Sequence, residues 1–346
     1  MPLTLLAPAL LSAAVPELAR RKVRLPNLEA LLAASRIGKS DDSAEQWLCA
    51  QFGLGASADA PIAALRLASE PAAGAQTGSH YWLCADPIAT TLGMDSVRID
   101  CAVTDLAPSE VDALARSLSE FFAPDGFSFV AAGASRWYVQ CNAPQRIATT
   151  PLWRAIGGSM LPQLPTGTDA PAWRARLNEA QMLLHAHPVN AAREENGLLP
   201  VASVWWWDGG SWPALGPAAI DAVIGGPRWV GAACKANRID FQPARAEPPP
   251  DFQTSPRRTL FILDDAWEQS ALTPDALLRW DEEWFGPLRS ALDAGQLDQA
   301  TLFLPWGSGM LRLELEQARR SLWQRWFGVR RPATAPALDE ILKAFD

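Results

Sequence analysis

Apolar positions along this chain alternate between a helical period and a period of two, and the switches mark out its elements. Over residues 26–65 the recurrence is helical: Leu28, Leu31 and Leu32 fall three and four residues apart, and Asp41, Asp42 and Ser43 offer an N-terminal cap ahead of 45–52. Residues 70–79 hold Pro, Gly and Ser without a period, the mark of a loop. Strands are expected at 80–85 and at 96–103, where Val97, Ile99 and Cys101 alternate with Arg98 and Asp100. A helix over 109–122 follows, with Glu110 and Asp112 at the positive end of its dipole and Val111, Leu114 and Leu118 as its apolar stripe. Residues 127–131 and 136–140 read as a hairpin.

Further on, Thr168 or Asp169 caps a helix with Pro171 in its first turn, and Trp173, Leu177, Ala180 and Leu184 carry one face to His185. Proline pushes the residue before it out of the helical region, so this helix ends or bends at His187, ahead of Pro188. Residues 198–207 are an apolar run closed by Asp208, Gly209 and Gly210, a buried strand followed by a tight turn. Residues 243–256 form a proline-rich, extended connector. A strand at 259–263 ends in Asp264 and Asp265, Thr273 caps a long helix that Gly295 stops, and another strand lies at 300–304. Two strands joined by a helix across about 30 residues make a parallel crossover. Residues 311–327 are Arg-rich and amphipathic and read as a final helix. These signals divide the chain into a helical subregion (1–70), an α+β module (71–165), a central motif region (166–242), the connector (243–258) and a C-terminal α/β unit (259–346).

Composition narrows the partners. The 346 residues are 49% hydrophobic and 20% charged, enough for a sizeable core. Thirty Lys and Arg stand against 38 Asp and Glu, a net charge of −8, so the chain lacks the broad basic face that nucleic acid requires. Five scattered cysteines without a C-x-x-C pair suit free thiols in a reducing, cytoplasmic setting. The apolar start has no positive residue before it, and Pro8, Pro16 and Glu17 interrupt or close it, so neither a signal peptide nor a membrane span is expected.

The chemistry-bearing residues are few. The P-loop, the G-x-S-x-G elbow and the H-E-x-x-H motif are all missing from the sequence, and Gly307, Ser308 and Gly309 make only a G-S-G turn. Of the three histidines, His185 and His187 are two apart; if the helix ends between them they converge with Gln181, Asn190 and Arg193. That set can hold a small anionic ligand by a guanidinium fork, or it can fix the turn and pin neighbouring elements. Trp205, Trp206 and Trp207 alternate across a strand, which makes Trp205 and Trp207 either core filling or one wall of the pocket. Asp86, Asp264 and Asp265 form an alternative carboxylate set for Mg²⁺ or Mn²⁺, the last two otherwise serving as a strand-end turn and cap.

The run NEAQMLLHAHPVNAARE at 178–194, with Gly197, Pro200, residues 203–207, Gly209 and Gly210, resembles the bacterial phosphoglycerate-mutase-like, RpfE-type regulatory proteins. The likeness extends to YWLCADP at 81–87, to Arg136 and Trp137, and to 161–173. It implies a relation to cofactor-independent phosphoglycerate mutases and an α/β fold: a degenerate alkaline-phosphatase-like parallel sheet with helices, plus a smaller α+β module. Those enzymes use a two-metal cluster of Asp and His residues with a Ser or Thr nucleophile. In this chain Asp264 and Asp265 are followed by Ala266 and Trp267, and 302–307 lacks an Asp-His pair. The expectation is therefore a non-catalytic binding or regulatory protein without cofactor, metal or membrane association, taking a small anionic ligand or a protein partner. A metal-dependent mutase or phosphohydrolase built on Asp86, Asp264 and Asp265 is one alternative, and a scaffold that docks other proteins is the other.

Overall fold

The computed structural model describes residues 3–8, 23–55, 60–71, 80–93, 96–244, 257–263, 274–306 and 309–316. Its strands in chain order are β1 (Leu3–Leu6), β2 (Arg36–Ser40), β3 (Tyr81–Leu92), β4 (Val97–Ala102), β5 (Phe127–Ala131), β6 (Trp137–Cys141), β7 (Ser203–Gly210), β8 (Ala222–Ile224), β9 (Asp240–Gln242), β10 (Thr259–Ile262), β11 (Gln299–Trp306) and β12 (Gly309–Glu316). The chain divides into two compact units. Unit 1 takes residues 1–52, 217–227 and 234–346, and unit 2 takes 53–216 and 228–233.

Unit 1 is an α/β layer structure on a seven-stranded mixed sheet of order β2-β12-β11-β1-β10-β8-β9. β1 lies between β10 and β11 and runs parallel to both, so the crossover expected between 259 and 304 is present and passes over β1. The helix inside it runs from Pro274 to Asp293 but is not α-helical throughout. Pro274–Trp280 and Gly286–Asp293 are joined by a π-helical stretch, Asp281–Phe285, and Gly295 ends the run at φ +71°. Leu3 and Leu5, Phe261, Leu302 and Leu304, and Leu311, Leu313 and Leu315 face one side of the sheet. They are buried with Leu28, Leu31 and Leu32 of the helix Pro26–Ala34 and with Trp280, Trp284 and Leu288.

Two expectations fail in unit 1. Residues 26–65 are not helical throughout, because β2 interrupts them as a sheet edge paired antiparallel to β12. Residues 311–316 are not the start of a helix but belong to β12, antiparallel to β11. The reason is local: Leu311, Leu313 and Leu315 are buried while Arg312 and Glu316 are exposed, a period of two that outweighs the amphipathic appearance of the longer window. Helix Pro26–Ala34 also lacks a cap from its own N-cap residue. Asp281 supplies it from far along the chain, accepting from the backbone N–H of Leu28 at 2.7 Å and from that of Asn27 at 3.1 Å.

Unit 2 combines helices with a five-stranded sheet of β3 to β7. β3 is longer than residues 80–85. It pairs with β6 over Tyr81–Cys84 and with β4 from Ile88 onward, while β7 runs along Trp82 to Ile88. Pro87 sits where β6 has ended and β4 has not begun, so its missing N–H leaves no ladder bond unmade, and its carbonyl accepts from Val103 at 2.9 Å. The hairpin β5–β6 and the helix Pro108–Phe122 are as expected. The tight turn expected at 208–210 is instead the end of β7, which continues to Gly210. Gly209 and Gly210 are required by contact: a Cβ on the first would strike the Tyr81 ring, and one on the second would lie 2.8 Å from Pro61 Cα.

All five cysteines are free. Among the described residues no helix is long and apolar enough to cross a membrane. The aspartates Asp264 and Asp265, the cap Thr273, the turn residues Gly307 and Ser308, most of the proline-rich connector, and 317–327 lie outside the described residues.

Candidate functional site

The central motif folds as the Pro188 rule demands. Helix Ala170–His185 ends, His187 takes an extended conformation at ψ 134°, and helix Pro188–Glu195 begins. His187 is the N-cap: its Nδ1 accepts from the backbone N–H of Val189 at 3.2 Å. An accepting Nδ1 fixes the neutral tautomer with its proton on Nε2, which then donates to Ser117 Oγ at 3.0 Å. Burial lowers the pKa of this imidazole from its ordinary value, and a proton on Nδ1 would break the cap. His185, two residues earlier, is exposed.

The motif's other polar residues reach into their own surroundings. The Asn190 side chain, 3% exposed, donates to the carbonyls of Leu184 and Val201 and accepts from Val201 N–H, each at 2.8 Å. All its hydrogen bonds therefore join the end of one helix to the lead-in of β7. Arg193 is 1% exposed and donates to the Leu199 carbonyl at 2.8 Å, to Asp105 at 2.5 Å and to Glu110 at 3.0 Å, tying helix Pro188–Glu195 to the N-terminus of helix Pro108–Phe122. Among the described residues Gln181 reaches only Met160 Sδ, at 3.9 Å. The five residues are thus near in sequence, but their contacts run in different directions.

Trp205 and Trp207 lie on the face of β7 opposite Trp206, as alternation requires, and all three are buried. Trp206 packs on Trp173 and Phe129, with ring centroids 5.2 and 5.7 Å away. Trp205 Nε1 donates to the Thr150 carbonyl at 2.8 Å, and Trp207 packs edge-on against Trp153. Among the described residues no hydrogen bond or ring contact joins Trp205 or Trp207 to the His185, His187, Asn190 and Arg193 group.

Trp207 leads instead to the most charged part of unit 2's interior. Cys84, Asp86 and Ile88 share one face of β3, and helix Ile62–Ala68, buried along nearly its whole length, brings Arg66 onto them. Asp86 is 2% exposed and accepts four hydrogen bonds: Arg66 Nη1 at 2.9 Å to each carboxylate oxygen, Trp137 N–H at 3.0 Å and Trp207 Nε1 at 3.1 Å. The Arg66 guanidinium lies over the Trp207 and Tyr138 rings at 5.1 and 5.5 Å. Beside it Glu70, also buried, accepts from Arg136 at 2.5 Å and from the Tyr138 hydroxyl at 3.2 Å. Burial pushes the Asp86 carboxyl up from its ordinary value, with Arg66 and the two N–H donors opposing it. Burial is the largest single effect on Arg66 and opposes its charge, but Asp86, Cys84 and Tyr138 together outweigh it and hold the guanidinium well above its usual value. Asp86 itself is saturated, although Arg66 Nε is buried without a hydrogen-bond partner among the described residues, and a metal ion at Asp86 would have to displace donors already in place.

Among the described residues no group of three or more His, Cys, Asp or Glu is placed to hold a metal ion. One charged constellation escaped the sequence reading. In unit 1, Arg36 and Lys39 of β2 and Arg312 and Glu314 of β12 line a cleft with Trp47 and Phe303. The alternation at 311–316 was its signal, masked by the helical reading of that segment.

Comparison with solved structures finds distant likenesses. A cofactor-independent phosphoglycerate mutase from Thermoplasma acidophilum DSM 1728 is 18% identical, with 92% of this chain and 91% of that chain covered, at a TM-score of 0.42. The PH0037 protein from Pyrococcus horikoshii is 14% identical, with 99% of this chain and 92% of that chain covered, at a TM-score of 0.46. No family model matches the chain, and neither does any curated protein sequence.

Proposed function

We propose that this chain is a non-catalytic binding protein for a small anionic ligand, of the phosphoglycerate-mutase-like, RpfE-type kind that its central motif resembles. The observation that carries the reading is the saturation of Asp86. The one aspartate of the candidate metal set within the described residues accepts four protein hydrogen bonds in the interior of unit 2. Asn190 and Arg193 are likewise committed to carbonyls and carboxylates of their own fold. A phosphoryl-transfer centre needs open coordination positions and an exposed nucleophile, and these residues offer neither. The test is isomerisation of 2- and 3-phosphoglycerate by the full-length chain across a Mn²⁺ and Mg²⁺ titration. The expected result is no turnover above the metal-only blank, and robust metal-dependent turnover overturns the reading.

One observation favours a second reading, a metal-dependent mutase or phosphohydrolase. β10 ends at Ile262, two residues before Asp264 in the sequence, and parallel sheets bind ligands at the carboxyl ends of their strands. Gly225, just past the end of β8, has φ +89°, and a Cβ there would strike the Ile262 carbonyl, so the backbones run close at this edge. Turnover that disappears in the Asp264→Asn/Asp265→Asn double variant would establish this alternative.

A further inference from the structure

The central motif is followed by a dipeptide with a chemistry of its own. Asn196 is the one asparagine of the chain that glycine follows, and glycine, lacking a side chain, leaves its backbone nitrogen least obstructed. That nitrogen can attack the asparagine side chain at Cγ. A bond from Gly197 N to Cγ forms, the Cγ–Nδ2 bond breaks, ammonia leaves with the proton given up by the attacking N–H, and a five-membered succinimide remains. Water then opens the ring at either carbonyl and leaves aspartate or the β-linked isoaspartate. No electrons change hands and water is the only co-reactant, which is the basis of the thermal lability of asparagine.

The fold restrains this reaction through the end of helix Pro188–Glu195. Asn196 is the C-cap at φ −92° and ψ 5°, and Gly197 follows at φ +70°. Gly197 N–H donates to the Glu194 carbonyl at 3.0 Å and Leu198 N–H to the Arg193 carbonyl at 2.8 Å, the two bonds of a Schellman closure. Asn196 Nδ2 donates to the Ala192 carbonyl at 2.7 Å. The attacking nitrogen and the attacked amide are thus each tied to a helix carbonyl. Ring formation also needs the Gly197 nitrogen nearly eclipsed with Cβ about the Asn196 Cα–C bond, whereas a ψ of 5° nearly eclipses it with the residue's own nitrogen. Closed turn and succinimide exclude each other, so the turn must open first.

Opening needs only a local change. Residues 194–199 are all exposed. Leu198 stands at the position that usually packs back on the helix in such a closure, yet it is 43% exposed, and the residue it would meet, Arg193, is turned toward Asp105 and Glu110. Glu194 and Glu195 add negative charge at the negative end of the helix dipole. A terminus held by exposed hydrogen bonds with few apolar contacts belongs to the low-stability end of a fold.

We infer that Asn196–Gly197 is a modification site, at which the folded chain converts slowly to aspartate and isoaspartate through opening of this last helical turn. The product places a carboxylate beside Glu194 and Glu195 and has no Nδ2 to donate to Ala192, so the closure is weaker after the conversion than before it.

Peptide mapping by mass spectrometry tests it, on the full-length chain held in mildly alkaline buffer with and without unfolding urea. The peptide that contains residue 196 should gain the mass of an amide-to-acid exchange and split into two chromatographic forms, of which the isoaspartyl one accepts a methyl group from an isoaspartate methyltransferase used as reagent. Conversion should be about tenfold or more faster in urea than in the folded chain, the ratio reporting how rarely the turn opens. His187→Ala, which removes the cap at the other end of the helix, should speed the reaction of the folded chain. Glu194→Lys, which sets a cation at the negative end of the dipole, should slow it. In urea both variants should match the parent. Asn142, exposed and followed by Ala143, is the internal control and should stay unchanged over the same interval, and Asn196→Gln should abolish the acidic product. Absence of conversion in the folded chain, with or without conversion in urea, overturns the site, and equal rates in the two buffers overturn its control by the turn.

Discussion

Arg66 with Asp86 in unit 2 and Arg312 with Glu314 in unit 1 are the same chemical pair in opposite surroundings. The first pair is 8% and 3% exposed in its side chains, and the second is 54% and 42% exposed. In the interior, every lone pair that water would have served needs a protein donor, and Asp86 accordingly recruits β6 and β7 as well as helix Ile62–Ala68. At the surface water fills that role, the pair contributes little to stability, and its charges remain available to a solute. Burial therefore turns an ion pair into a joint of the fold, and exposure leaves it as a surface that can bind.

The largest effect should come from breaking the buried pair. Asp86→Ala strands Arg66 and two N–H donors, and should lower the unfolding free energy by about 3–5 kcal/mol in urea titrations. The double change Arg66→Met/Asp86→Leu should cost less than Asp86→Ala alone, because no buried charge is left unmatched. A loss from Asp86→Ala similar to that of a surface change would remove the basis of the comparison.

His187 lies between the two extremes, half-buried and shared between a cap and Ser117. Its pKa is lowered in the folded chain, by burial, so folding binds fewer protons at this site than the unfolded chain does. Its contribution is complete above the ordinary value of about 6.5 and is lost as pH falls through the lower folded value. Stability measured from pH 8 to pH 5 should fall more steeply in the parent than in His187→Ala, which itself should cost about 1 kcal/mol at pH 8 as a lost cap. Parallel pH curves for the two proteins would refute the fixed tautomer.

The smallest effect belongs to the exposed pair. Arg312→Ala and Glu314→Ala should each leave the thermal midpoint within the change expected of about 0.5 kcal/mol. A larger loss would mean that these side chains brace the sheet edge and would blur the distinction between the units.

Legibility followed sequence distance. Helix Pro108–Phe122, the hairpin β5–β6, the break before Pro188 and the parallel crossover between β10 and β11 all follow from periods, caps and turn residues within one short window. β2 and β12 were misread because each is defined by its partner: Arg36–Ser40 has a weak pattern of its own and is a strand because β12 lies beside it. The candidate site was least legible. The central motif offers polar residue types, but whether Asn190 and Arg193 face a ligand or their own fold depends on Val201, Leu199 and Asp105.

By itself the sequence determined the helices and strands whose period and caps fall within one window, that the protein is α/β, and that its cysteines stand apart, since each of these depends on neighbours a few residues away. Tertiary structure alone decided the fate of Asp86, whose partners Arg66, Trp137 and Trp207 lie 20, 51 and 121 residues off. It likewise alone brought Arg36 and Arg312 to one cleft across a strand pair. A charge owes its role to the dielectric and donors around it, and those are assembled only when distant segments pack.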